Sequence, residues 1–211
     1  MVRHRLRASA YRIASVAALS LLANFAPSQA HERLLRVHHG EMPSGAAGVS
    51  DRDAVSNLMQ IANDACYERG DSSDALRSWA QYSHWTPATP EQLGGVPEND
   101  FTQVVAGWTV TSTFGATAII QSKFRGREPG HVCSVTAILP DINLHTDAKS
   151  AFQKQFGTVI AEEHDVPDQH TDRFWIERDK DPPVKASMVF TPSRRMITIR
   201  MIHGNARPLR S

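Results

Sequence analysis

Much of what would announce a chemistry is missing from this chain. Two cysteines in 211 residues, Cys66 and Cys133, exclude a dense disulfide scaffold and any Cys-x-x-Cys metal or redox motif. There is no Gly-x-Ser-x-Gly elbow, no phosphate-binding Gly-x-x-x-x-Gly-Lys-Ser/Thr loop and no His-Glu-x-x-His helix, so no familiar hydrolase, nucleotide or metalloprotease signature can be invoked. Aromatics are only 7% of the residues, and no basic stripe interleaves them. Nucleic acid is therefore not expected as a partner. No Asn-x-Ser/Thr acceptor occurs among Asn57, Asn63, Asn99, Asn143 and Asn205, which favours a bacterial envelope over a eukaryotic secretory route. Beyond residue 30 no segment approaches 18 uninterrupted apolar residues, so no stable membrane anchor is expected.

What is present begins with a leader. Arg3, Arg5, Arg7 and Arg12 precede an uncharged, mostly apolar stretch from Ile13 to Ala26, and Ser28-Gln29-Ala30 supplies small residues at the −3 and −1 positions. This is the pattern of a signal peptide over 1–30, cleaved before His31. The whole chain carries 23 Lys+Arg against 22 Asp+Glu. Removing the four leader arginines leaves 19 against 22, so the exported chain is mildly acidic. A periplasmic or secreted destination follows, and in such a compartment the two cysteines are expected to form one disulfide.

Residues 31–50 read as a flexible arm, Gly/Ser/Pro-rich around 40–50. A single α+β domain is expected over 51–204, followed by a tail at 205–211. Val55, Leu58, Met59, Ala62, Ala65 and Cys66 recur at helical spacing, with Gly70 as a left-handed stop. Ser72 and its neighbours cap a second helix with Leu76, Trp79 and Ala80 on its stripe. Residues 84–100 read as an irregular link, with one helical turn opened by Thr89-Pro90. From Phe101 the period changes to two. Strands are expected at 104–110, 116–124, 132–139, 159–162, 173–178, 184–190 and 196–202. A mid-chain helix carries Ala148, Ala151, Phe152 and Phe156 and ends at Gly157. The short separations predict an antiparallel sheet of about six to seven strands, with the N-terminal helices and the mid-chain helix on one face and a wet opposite face. The Cys66–Cys133 bridge would tie the first helix to the third strand.

A helix ending in Cys66, then Trp79, Trp85-Thr86-Pro87, Leu93 and the strand Val132-Cys133-Ser134-Val135 resemble a loose group of uncharacterised exported bacterial proteins. That resemblance implies a single paired-cysteine α+β domain and no activity.

Candidate chemistry is sparse. If cleavage frees His31, its α-amine and ring nitrogen, with His38 or His39, form a nitrogen-rich set suited to copper. This resembles the histidine brace of secreted copper proteins and lytic polysaccharide monooxygenases, in that one residue only. Glu162-Glu163-His164-Asp165 with Asp168 and His170 is a second carboxylate and imidazole cluster, placed on a charged hairpin loop. Trp85 with His84 is a third candidate, an aromatic in a loop. The expectation is an exported soluble binding or accessory module, not an enzyme, without a cofactor, whose partner is a protein or small ligand. A copper or redox protein using His31, or a hydrolase with an unrecognised His/carboxylate site, are the alternatives.

Overall fold

The computed structural model describes residues 51–93, 102–113, 115–124, 130–176 and 184–204. The expected leader and arm, with His31, His38 and His39, and the expected tail at 205–211 lie outside the described residues.

The first stripe folds as α1 (Asp51–Ile61) and runs on into a π-turn, Ala62–Tyr67. There the Glu68 amide donates to Asn63 O at 2.9 Å. The wider turn keeps Ala65, Cys66 and Tyr67 buried together. Gly70 is not the left-handed stop that was expected, because its φ is not positive. It is glycine for another reason: a Cβ there would lie 2.3 Å from Cys66 O and 3.0 Å from Cys133 Cβ. Ser72 Oγ accepts from Ala75 N and caps α2 (Ser73–Tyr82) as expected.

Among the described residues the sheet has eight strands, not six or seven. The additional one is β1 (Thr86–Pro87), two residues of the supposed irregular link, paired with Trp108 and Thr109. A run that short carries no alternation to read. Next comes α3 (Pro90–Leu93), closed by a reciprocal box: Gln92 Oε1 accepts from Thr89 N, and Thr89 Oγ1 accepts from Gln92 N. The remaining elements are β2 (Thr102–Ser112), β3 (Gly115–Phe124), β4 (His131–Ile138), α4 (Leu144–Phe156), β5 (Thr158–Val166), β6 (Gln169–Ile176), β7 (Lys185–Thr191) and β8 (Met196–His203). All pairings are antiparallel, in the order β1-β2-β3-β4-β8-β7-β6-β5. With its helices, this is a mixed α+β domain.

One face of the sheet meets α1, the π-turn, α2 and α4 in a single core. Ile119, Val135, Ile199, Met188 and Phe174 line the sheet side, and Leu58, Leu76, Phe152 and Phe156 the helix side. Phe152 lies 4.6 Å from Phe156 and 4.8 Å from Phe174, ring centre to ring centre, seating α4 over the β5–β6 end. Gly157, at φ 56°, stops α4 in the left-handed conformation.

The opposite face is not simply wet. Thr136 and Thr198 are buried there and share a hydrogen bond of 2.9 Å, so their hydroxyls satisfy each other. At the β2–β3 end α3 covers that face, with Leu93 and Ala88 against Gly107.

Cys66 and Cys133 are joined, S–S 1.98 Å and Cα–Cα 5.1 Å, tying the π-turn to β4 as the sequence predicted. His203 on β8 donates from Nε2 to Cys66 O at 2.6 Å, and Gln121 on β3 donates to Gly70 O.

Candidate functional site

At the far end of the same core face, α4 and β6 bring together a polar cluster. Phe174, Asp172 and His170 alternate along β6, so all three point toward α4. His145 and Lys149 stand one turn apart on α4 and face them. Asp172 is wholly buried. Lys149 Nζ lies 2.8 Å from Asp172 Oδ1 and 2.6 Å from Glu163 Oε1. His170 Nε2 reaches Asp172 Oδ1 at 3.1 Å, while its Nδ1 is hydrogen-bonded to Asp165. His145 Nε2 sits 3.5 Å from Asp172 Oδ2. Its ring stacks on Phe190 at 4.6 Å, 7° from parallel, and meets the His170 ring edge-on. Asp172 Oδ2 and His145 Nε2 are both buried without a hydrogen-bond partner.

Charge runs through the whole cluster. Burial alone would push the Asp172 carboxyl up, but His145, the Lys149 ammonium and the His170 charge pull it down to about 2. Burial also opposes charge on His170 and Lys149. Their carboxylate neighbours outweigh it and hold both groups above their ordinary values.

Glu162 to His170 is not the loop that its charges signalled. β5 and β6 continue through it to a two-residue turn at Pro167-Asp168, with Asp168 at φ 58°. The Asp168 carboxylate accepts from the backbone N and Oγ of Ser193, clasping this hairpin to the β7–β8 turn. Hydrogen bonding from Ser193 holds the Asp168 carboxyl below its ordinary value. A bulge at Ala161 then decides who faces α4. Ile160 pairs with Phe174, but Glu162 pairs with Arg173 and Glu163 with Asp172. Ile160, Glu163 and Asp165 therefore share the α4 face, and Glu162 and His164 point to the other. Glu162 takes an ion pair with Arg173 there, at 2.6 Å.

The predicted residues thus fall in different places. His170 belongs to the cluster. His164, six residues earlier and of the same alternation, is on the opposite sheet face. Trp85 and His84 adjoin β1, at the other edge of the sheet from β5 and β6. Trp85 packs against the core, and His84 is exposed at φ 55°. His145, Lys149 and Asp172 were not among the predicted residues. Two signals pointed to them: His145 and Lys149 at i, i+4 on a helix, and His170-x-Asp172-x-Phe174 at strand spacing.

No protein-family model, curated protein or solved structure matches this chain. Among the described residues, no helix is long and apolar enough to cross a membrane.

Proposed function

We propose that this is an exported protein of the bacterial envelope that works by binding rather than by catalysis, and that it receives its ligand at the α4–β6 cluster. The leader pattern and the buried disulfide support export into an oxidising compartment. One observation carries the binding site. Asp172 is wholly buried, yet its Oδ2 accepts no hydrogen bond, and the buried His145 Nε2 that faces it stands off at 3.5 Å with no hydrogen bond of its own. Leaving such groups unsatisfied costs roughly 1–3 kcal/mol each, and a ligand between them recovers that cost. Both ring nitrogens of His170 are taken by carboxylates, so it holds no hydroxyl or thiol to activate, which supports binding over nucleophilic catalysis.

The test is a thermal-shift screen of the exported protein, stripped with a chelator. Divalent metal salts, inorganic anions and short peptides serve as ligands, with D172N alongside. A true ligand at 100 times its Kd stabilises by about 2.7 kcal/mol, and D172N loses that response. A screen in which no compound raises the melting temperature in an Asp172-dependent way overturns the reading.

A further inference from the structure

The geometry points to a single divalent transition-metal ion, zinc or a metal of similar preference, held by His145 Nε2, His170 Nε2 and Asp172 Oδ2. This inference rests on the reading of the cluster as the ligand site and names the ligand's class.

The donor set comes first. One atom from each of the three residues lies within 4.8 Å of the others. Two imidazoles and one carboxylate suit zinc and its neighbours, whereas calcium and magnesium ask for oxygens. A tetrahedral ion with bonds near ~2.1 Å sets its donors about 3.4 Å apart. His145 Nε2 already stands 3.5 Å from Asp172 Oδ2, and His170 Nε2 lies 3.1 Å from the neighbouring oxygen of that carboxylate, Oδ1, a small rotation away from the ligating one.

The surrounding groups are those a metal site requires. A ligating histidine ordinarily gives its other ring N–H to a carboxylate, which fixes the tautomer. Asp165 does this for His170 through Nδ1, so that Nε2 would exchange its contact with Asp172 Oδ1 for the ion. Lys149 holds Asp172 Oδ1 and so aims Oδ2 inward. Phe190 fixes the plane of the His145 ring. The two unpartnered buried atoms, Oδ2 and Nε2, are both donors in this set, and one ion satisfies both.

Charge closes as well. Asp165, Asp172 and Glu163 bring three negative charges. Lys149 and a divalent ion bring three positive ones, with both imidazoles neutral as ligands. Lys149 remains a like charge beside the ion, which gives the site a distinctive signature. Its replacement by Met should strengthen metal binding while weakening the stripped protein, because Asp172 then lacks its ammonium partner.

The experiment is calorimetric titration of the exported, chelator-stripped protein with zinc chloride, with cobalt(II) absorption as a second readout. One equivalent is expected to bind, with a cobalt spectrum of tetrahedral type. H145A and H170A should each weaken zinc by at least ~100-fold, and D165N by about 10–100-fold. If the alanine variants do not fold, H145N and H170N serve the same comparison. The triple variant H31A/H38A/H39A should keep the zinc, which separates this site from any chelate at the N-terminal arm. K149M should bind about tenfold more tightly yet melt at a lower temperature when stripped. Absence of zinc binding, zinc that survives both histidine variants, or K149M binding no more tightly each overturns the proposal. If zinc fails while another compound still stabilises in an Asp172-dependent way, the metal falls and the binding-site reading stands. If none does, both fall.

Discussion

Two places on one sheet face join helix to sheet, and they do it by opposite means. At the β4 end the π-turn is bonded covalently through Cys66–Cys133. Two backbone carbonyls beside it are taken up, with His203 donating to Cys66 O and Gln121 to Gly70 O, although Gln121 Oε1 is itself buried without a hydrogen-bond partner. Even a methyl group at Gly70 would collide there. At the β6 end, α4 is tied by an ion-pair network that leaves two buried atoms unmatched and is partly open, with the His170 side chain 24% exposed. The covalent end leaves only a neutral amide oxygen unmatched among the atoms named, whereas the charged end leaves a carboxylate oxygen. A buried carboxylate oxygen is the costlier of the two to leave unmatched, because it carries charge, and it is the atom that the proposed ligand would satisfy.

The largest effect expected from breaking this comparison is at the charged end. Asp172→Ala leaves Lys149 and His170 facing each other without their shared carboxylate, and should cost about 3–5 kcal/mol in urea unfolding of the stripped protein. A loss under 1 kcal/mol would show that the network contributes little to holding α4 down. At the covalent end, replacing Cys66 and Cys133 together by Ala should cost about 2–4 kcal/mol. The far-ultraviolet dichroism should persist, since a core of this size does not rest on one staple. Loss of the fold in the double variant would reverse the ranking of the two ties.

The smallest effect is on pH dependence, and it separates the two ends most cleanly. A carboxyl lowered to about 2 in the folded state contributes stability above its ordinary value and loses it as pH falls from about 4 toward 2. An imidazole raised by its neighbours contributes below about 6.5 and loses that contribution as pH rises through its folded-state value. The difference in urea midpoint between the wild type and D172N should therefore be greatest between about pH 4 and 6.5 and shrink on both sides. The difference between the wild type and the Cys-less variant should stay flat across the same range, since bonded cysteines do not titrate. A flat profile for D172N would show that Asp172 is not held by charge.

These two ends were not equally legible in the sequence. The disulfide could be read because each cysteine sat on an apolar pattern, Cys66 on a helical stripe and Cys133 on an alternating strand. The cluster showed only as two separate local spacings that nothing joined, for three physical reasons. Its members come from distant segments, and pairing of α4 with β6 leaves no local periodicity. Glu162 to Asp165 has a composition that disfavours strands, yet it is an edge strand, where charge is tolerated and protects against unwanted pairing. Finally, unbroken alternation would have placed His164 beside Ile160 on the α4 face, and the bulge cancels that inference. β1 escaped for a simpler reason, since two residues cannot show a pattern.

That bulge also makes one position of the chain expendable. Ala161 is the residue without an opposite number: Ile160 pairs with Phe174 and Glu162 with Arg173, adjacent positions on β6. Deleting Ala161 would leave every remaining partner in place and every side chain on its present face, whereas losing one residue from the middle of β6 or β7 would turn the rest of that strand inside out. What would vanish is the local bend that a bulge imposes. β5 therefore has slack of one residue, spent on curvature rather than on pairing, so its length and its facing are set independently.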